Sequence, residues 1–260
     1  MGKKRTIIIV STIVLILVIS YTILTIFLIK HNEEEKTESK INIEELENNF
    51  NTIFTNTIYP ETEENKQKVY LRYNIETSES GKYKIDTNIP MVEIESKIVD
   101  EINNDIFTSF VKPISQILDQ EGAYTIYNAD FVSYINNNIL SVIVKCTLKE
   151  GINPQKVIIR TYNYDMENDK ILTLQEIFNK KNLNQEEVQN KIFNKINDEI
   201  QKVIAIEDSG YNVYKRDINS EIYKIENVKE YFLGKDNVLY IVYAYGNSDY
   251  TSEVDLIIFE

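Results

Sequence analysis

The feature that most constrains this chain lies in its first thirty residues. Lys3-Lys4-Arg5 precedes Thr6 to Ile29, a run of 24 residues without a charge. As a helix rising 1.5 Å per residue it reaches about 36 Å, enough to cross a hydrocarbon core of about 30 Å with some tilt. Three basic residues stand before the run and one, Lys30, directly after it, followed by the acidic Glu33-Glu34-Glu35. The positive-inside rule therefore puts the N-terminus in the cytoplasm. A cleaved signal peptide is the competing reading, but its apolar region is shorter and closes on small residues. Here the run closes as Leu24-Thr25-Ile26-Phe27-Leu28-Ile29. The expected organisation is a cytoplasmic stub (1–5), a transmembrane signal anchor (6–29), a juxtamembrane leash with an amphipathic helix (30–66) and an extracytoplasmic domain (67–260), with a possible subdivision near Glu121. The expected location is the cell membrane, single-pass, with the C-terminal domain outside.

Charge narrows the partners. Setting aside Lys3, Lys4, Arg5 and Lys30, 24 basic residues face 41 acidic ones, a net of −17 at neutral pH. That disfavours nucleic acid, whose binding depends on cationic neutralisation of phosphate. It equally disfavours lying flat on an anionic lipid surface. A cationic partner would be attracted and its encounter accelerated, although solubility alone also accounts for the charge. Cys146 is the single cysteine, so no intramolecular disulfide forms.

Periodicity gives the elements. Asn42-Ile43-Glu44-Glu45 opens a helix whose apolar residues Ile43, Leu46, Phe50, Ile53 and Phe54 share one face. That face suits packing on the domain or a short dimerising stalk. Val69 to Ile75 alternates as a half-buried strand, Glu79-Ser80-Gly81 turns the chain, and Lys82 to Val92 forms a second strand that Pro90 marks as an edge or bulge. Ile94, Ile98, Ile102, Ile106 and Phe110 step along a helix that Pro113 should end or kink. Strands are expected at 124–134, 139–148 and 156–165, the first two joined around Asn136-Asn137-Asn138, since Asn tolerates positive φ. Thr173 caps a short helix carrying Ile177 and Phe178, and Asn184 opens a longer one with Val188, Ile192, Ile196, Ile200 and Ile204 inward. Strands at 238–245 and 253–259 close the chain. The fold class is α+β, an antiparallel sheet with helices packed on one face.

Chemistry-bearing patterns are few. His31 is the only histidine and Cys146 falls on a wholly apolar strand face, so neither is expected to act as base, nucleophile or metal ligand. Serine triads, Gly-rich phosphate loops and metal-binding His clusters are missing from the sequence; a glycosidase-type pair of carboxylates carries no local signature. Asp165, Glu167, Asp169, Thr173 and Glu176 occupy positions 1, 3, 5, 9 and 12 of a calcium loop. Lys170, however, stands where Gly makes the sharp turn, which favours a strand-to-helix turn without metal. Tyr243, Tyr245, Asn247, Asp249 and Tyr250 surround a hairpin turn in a composition suited to protein or sugar contact, and they are the candidate ligand-binding residues.

Several stretches resemble the PdaC/RsiV-like domain, found in membrane-bound anti-sigma factors that sense lysozyme and in front of a peptidoglycan deacetylase domain. They are Tyr83 through Ile89-Pro90 before a helix with Ile98, Ile102-Asn103 and Ile106; Asn137-Asn138-Ile139-Leu140-Ser141-Val142; Tyr162-Asn163-Tyr164-Asp165 leading to Lys170-Ile171-Leu172-Thr173-Leu174; Ile177-Phe178; and Tyr231-Phe232-Leu233 before Asn237-Val238-Leu239-Tyr240. The resemblance spans roughly 80–260 and implies a two-part α+β receptor-like module rather than an enzyme. The sigma-binding region and the deacetylase domain have no counterpart here, and the final hairpin departs from the family's Tyr-Pro-containing turn, so lysozyme binding does not carry over. The functional expectation is a membrane-anchored, non-catalytic binding or sensing domain at the cell envelope, needing no cofactor and no metal. Its expected ligand is a cell-wall component or a cationic wall-active protein such as a muramidase. The alternatives are a carboxylate-dependent cell-wall hydrolase, or a structural subunit of a membrane complex associating through Leu46, Phe50 and Ile53 or through the span.

Overall fold

The computed structural model describes residues 42–119, 122–207, 216–244 and 254–260. The chain divides into two units, 1–43 and 44–260. The expected stub and span (1–5 and 6–29) lie outside the described residues, as does His31. Among the described residues no helix is long and apolar enough to cross a membrane.

Helix α1 (Ile43–Asn49) runs into a single 3-10 turn at Phe50–Thr52. Phe50 is buried, with its ring 5.4 Å from Phe54 and 6.5 Å from both Phe232 and Tyr240. Phe50 is thus packed within this chain, whereas the α1 residues of the same apolar face, Ile43 and Leu46, are only half-buried. Strand β1 (Ile58–Tyr59) and the one-turn helix α2 (Glu63–Lys66) lead to β2 (Val69–Glu79) and β3 (Tyr83–Val92), an antiparallel hairpin. Its pairing shifts register between Leu71 and Tyr73, opposite Pro90. Pro90 fits there because it has no N–H for the ladder, and this stretch of β3 pairs with β2 alone.

Helix α3 (Lys97–Ile106) is capped by the Ser96 hydroxyl and continues through a π turn, Phe107–Val111, into α4 (Lys112–Leu118). Pro113 neither ends nor breaks it. Proline sits in the first turn of α4, where the π turn has already re-routed the backbone hydrogen bonds that its missing N–H would disturb. This helix carries the chain back along the sheet, so the next strand, β4 (Thr125–Asn136), runs parallel to β3. Strand β1 also pairs parallel with β4. The sheet is thus mixed rather than purely antiparallel. Helix α4 and strand β4, which precede and follow the residues around 121, both contribute to one core.

Strands β5 (Ile139–Glu150), β6 (Lys156–Asp165) and β7 (Lys170–Ile171) complete a seven-stranded sheet in the order β2-β3-β4-β5-β6-β7, with β1 beside β4. Asn137 and Asn138, at φ 46° and 65°, make the two-residue β4–β5 turn, the conformation for which Asn is suited. The first core joins α3 and α4 to the sheet through Ile85, Ile89, Ile106, Phe110, Tyr127 and Phe131. Cys146 lies in it fully buried, and burial pushes its thiol up to about 12.

A second core follows. Helix α5 (Leu174–Lys181) and helix α6 (Gln185–Glu207) bury Ile177, Phe178, Val188, Ile192 and Ile196, whereas Ile204, expected inward, is exposed. They cover a three-stranded antiparallel sheet ordered β10-β9-β8, made of β8 (Glu230–Leu233), β9 (Leu239–Ala244) and β10 (Val254–Phe259). Gly234, at the end of β8, is required by close approach: a Cβ there would stand 2.6 Å from the Tyr240 ring.

Candidate functional site

Alternation along the large sheet sends Ala129, Phe131, Val144 and Cys146 toward the helices. The intervening residues face the other way: Asn74 and Glu76 of β2, Asp86 and Asn88 of β3, Asn128 and Asp130 of β4, Lys145 and Thr147 of β5. Four short polar side chains on this face form a directional ladder. Asn74 Nδ2 donates to Asn88 Oδ1 at 2.6 Å, and Asn88 Nδ2 donates to Asp130 Oδ1 at 2.9 Å. From the opposite side Asn56 Nδ2 donates to the same carboxylate oxygen at 3.3 Å, while Asn56 Oδ1 accepts from the Phe131 N–H at 3.2 Å. Asn128 Nδ2 reaches Thr147 Oγ1 at 3.5 Å.

Lys145 closes one side of the ladder. It stands opposite Asp130 in register, its ammonium donates to Asn51 Oδ1 at 2.5 Å, and it lies 5.1 Å from the Phe54 ring centroid. Burial holds its pKa below the ordinary lysine value, and the Asp130 charge opposes that shift. At Asn56 the ladder adjoins a cleft of about 250 Å³, lined also by Thr57, Glu61, Lys66, Val69, Tyr70 and Phe131. Tyr59, 40% exposed, stacks on Tyr134 with centroids 5.6 Å apart, one residue along from Ile58 of the cleft. The face therefore offers amide donors and acceptors, a carboxylate fixed by two amides, and aromatic surface beside a groove. Such groups can both donate hydrogen bonds to and accept them from hydroxyl and amide partners.

The residues singled out from sequence sit elsewhere. Tyr243 is buried in the second core, edge-on to Tyr223 with centroids 5.4 Å apart; burial raises its phenol pKa, and its hydroxyl has no hydrogen-bond partner among the described residues. Tyr245, Asn247, Asp249 and Tyr250 lie outside the described residues. In the calcium-like stretch the carboxylates are directed at separate partners. Asp165 accepts from the backbone N–H groups of Glu167 (3.2 Å) and Asn168 (3.1 Å) and from Asn168 Nδ2 (3.0 Å). Asp169 accepts from the hydroxyls of Ser96 and Tyr164, and Glu176 completes a capping box with Thr173 while paired to Lys170. The stretch is a strand-to-helix turn stitched by its own side chains. The ladder residues Asn56, Asn74, Asn88 and Asp130 escaped sequence reading. The available signal was Asn recurring at outward positions of strands, where it is normally depleted.

No protein-family model matches the chain, and no curated protein matches it. Among solved structures it is similar to a DUF3298 family protein from Pseudomonas aeruginosa PAO1, at 12% identity over 73% of this chain and 85% of that one, with a TM-score of 0.43. It is similar also to a member of the DUF3298 family from Bacteroides fragilis NCTC 9343, at 15% identity over 68% and 80% of the two chains, with a TM-score of 0.40.

Proposed function

We propose that this chain is a membrane-anchored, non-catalytic binding or sensing module of the cell-envelope space, and that its ligand is a cell-wall component held on the polar face of the large sheet. The observation that carries the reading is the Asn74–Asn88–Asp130–Asn56 ladder beside an aromatic-rimmed cleft. A polyhydroxyl, acetamido-bearing glycan presents the donors and acceptors such a face can match. Residues 6–29 support the anchor by their length and lack of charge.

The acidic balance favours a second ligand class, a cationic wall-active protein such as a muramidase. Titrations of the chain with solubilised peptidoglycan fragments and with a basic muramidase, each at low and high salt, separate the two. Glycan binding is expected to persist in salt and to weaken about tenfold in Asn88→Ala, which removes one ladder amide. Protein binding driven by charge would fall steeply with ionic strength. Absence of heat from both partners at millimolar concentration would end the proposal.

A further inference from the structure

The long free edge of the large sheet is β2, the short β7 being at the other end, and among the described residues no strand pairs with the outer side of β2. It is long, Val69–Glu79, and its outward side chains are half-buried or exposed beyond Val69. Long open edges recruit further strands unless charges or irregularities deter them. This edge carries both deterrents, a register shift at Arg72, which has no pairing partner on β3, and the charges of Arg72 and Glu76. The charges, however, are of opposite sign and lie symmetrically about Asn74. Arg72 rests 5.9 Å from the Tyr73 ring centroid, and neither it nor Glu76 forms an ion pair among the described residues. Beside them Leu71 is 41% exposed and Phe107 43% exposed, the latter with its ring 6.0 Å from Tyr73.

We infer that the β2 edge pairs antiparallel with the β2 edge of a second copy of this chain, about a twofold axis at Asn74. In that register Arg72 faces the partner's Glu76 twice over, and Tyr73 faces the partner's Ile75, an aromatic against β-branched pair. The contact is isologous and closes on itself, so it yields a dimer and not a filament. A like-signed pair of charges would repel any copy; this pair selects an identical one in a single orientation. The surface is distinct from α1 and the turn after it, where Phe50 is buried in its own chain. Because Asn74 ends the polar ladder, the two ladders would meet at the axis and form one continuous face.

The test is oxidative cross-linking of the full chain with cysteine at the axis. Asn74→Cys is expected to give a reducible dimer, since residues facing each other across antiparallel strands fall within disulfide reach. Ile152→Cys, fully exposed and away from the edge, is the collision control, and buried Cys146 stays silent in both. The Asn74→Cys dimer is expected to form at least about tenfold faster than the control. Adding Glu76→Arg should slow it about tenfold by turning two attractive pairs repulsive, and Arg72→Glu combined with Glu76→Arg should restore it. Equal rates for Asn74→Cys and Ile152→Cys would overturn the dimer, as would insensitivity to the charge reversal. Slow exchange of the β2 amides that do not point at β3, in a chain that sediments as a monomer, would show the edge covered from within and would overturn it too.

Discussion

Glu176 shows how much one side chain can settle. Its carboxylate accepts from the Thr173 backbone N–H and hydroxyl, each at 2.9 Å, and pairs with Lys170. Hydrogen bonding from Lys170 first, then from Thr173, lowers its pKa to about 2 from an ordinary 4.5. A carboxyl whose pKa is lower in the folded state stabilises that state above the unfolded value. The contribution is lost as pH falls from about 4.5 through about 2. The side chain is one-third exposed, so solvent screening keeps the total below about 1 kcal/mol. Glu176→Gln is therefore expected to lower the thermal midpoint near neutrality and to match the parent near pH 2. Melts across that range check this; a deficit independent of pH would mean that the cap acts by shape alone. The same residue explains why a calcium-like spacing makes a turn: its oxygens already have donors, and Lys170 occupies the position where a glycine would bend the loop.

At the scale of elements, the helix over 97–118 decides the topology. It begins at the Ser96 cap and is tied to the end of β3 by Asn103, whose side chain accepts from Val92 N at 2.9 Å and donates to Val92 O at 2.8 Å. In its π turn the Phe110 carbonyl is met by the Tyr127 hydroxyl at 2.8 Å, a buried bond from the sheet to the helix. Tyr127→Phe should leave that carbonyl without this donor at nearly constant volume, costing about 1–2 kcal/mol in urea unfolding. A loss well under 0.5 kcal/mol would indicate that the helix ladder satisfies the carbonyl unaided. Periodicity predicted the helix up to Pro113 and an end or kink there, not its continuation through the proline, because a π turn is a response of the backbone to packing and leaves no compositional trace.

At the scale of the molecule, the second sheet is joined to the first by side chains that stand in for a strand. Tyr231 N donates to Thr161 Oγ1 at 2.9 Å, and Asn163 Nδ2 donates to Tyr231 O at 2.7 Å. Leu233 N donates to Ser141 Oγ at 3.2 Å, and that hydroxyl donates to Asn163 Oδ1 at 2.7 Å. Glu230 adds bonds to Thr161 N at 2.8 Å and to Arg160 at 3.0 Å. The backbone of β8 is thus satisfied on one side by β9 and on the other by the face of β5 and β6. Phe232 stacks between Tyr134 and Tyr240, centroids 6.2 and 4.5 Å away. Asn163→Leu removes the central member and strands its partners, at an expected cost of about 2–4 kcal/mol. The two cores should then lose cooperativity, seen as separate transitions by amide exchange in β9 and β4. A single coincident transition would show that the aromatic stack alone couples them.

The sequence by itself determined what depends on neighbours along the chain. Alternation specified the strands, a 3.6-residue period the helices, paired asparagines the β4–β5 turn, and Thr173 with Glu176 the α5 cap. It also marked Cys146 as a core residue. What it could not contain is which strands lie side by side. The parallel β3–β4 pairing follows from the return of a helix, and the short β8 is held by side chains about 70 to 90 residues earlier. The polar ladder joins residues from the β1 approach, β2, β3 and β4 whose adjacency exists only once the sheet has closed. Local chemistry names an element, whereas a surface is made by distant elements meeting. For that reason the candidate face came from tertiary structure, while the tyrosine-rich segment chosen from composition begins with a residue, Tyr243, that folding places in a core.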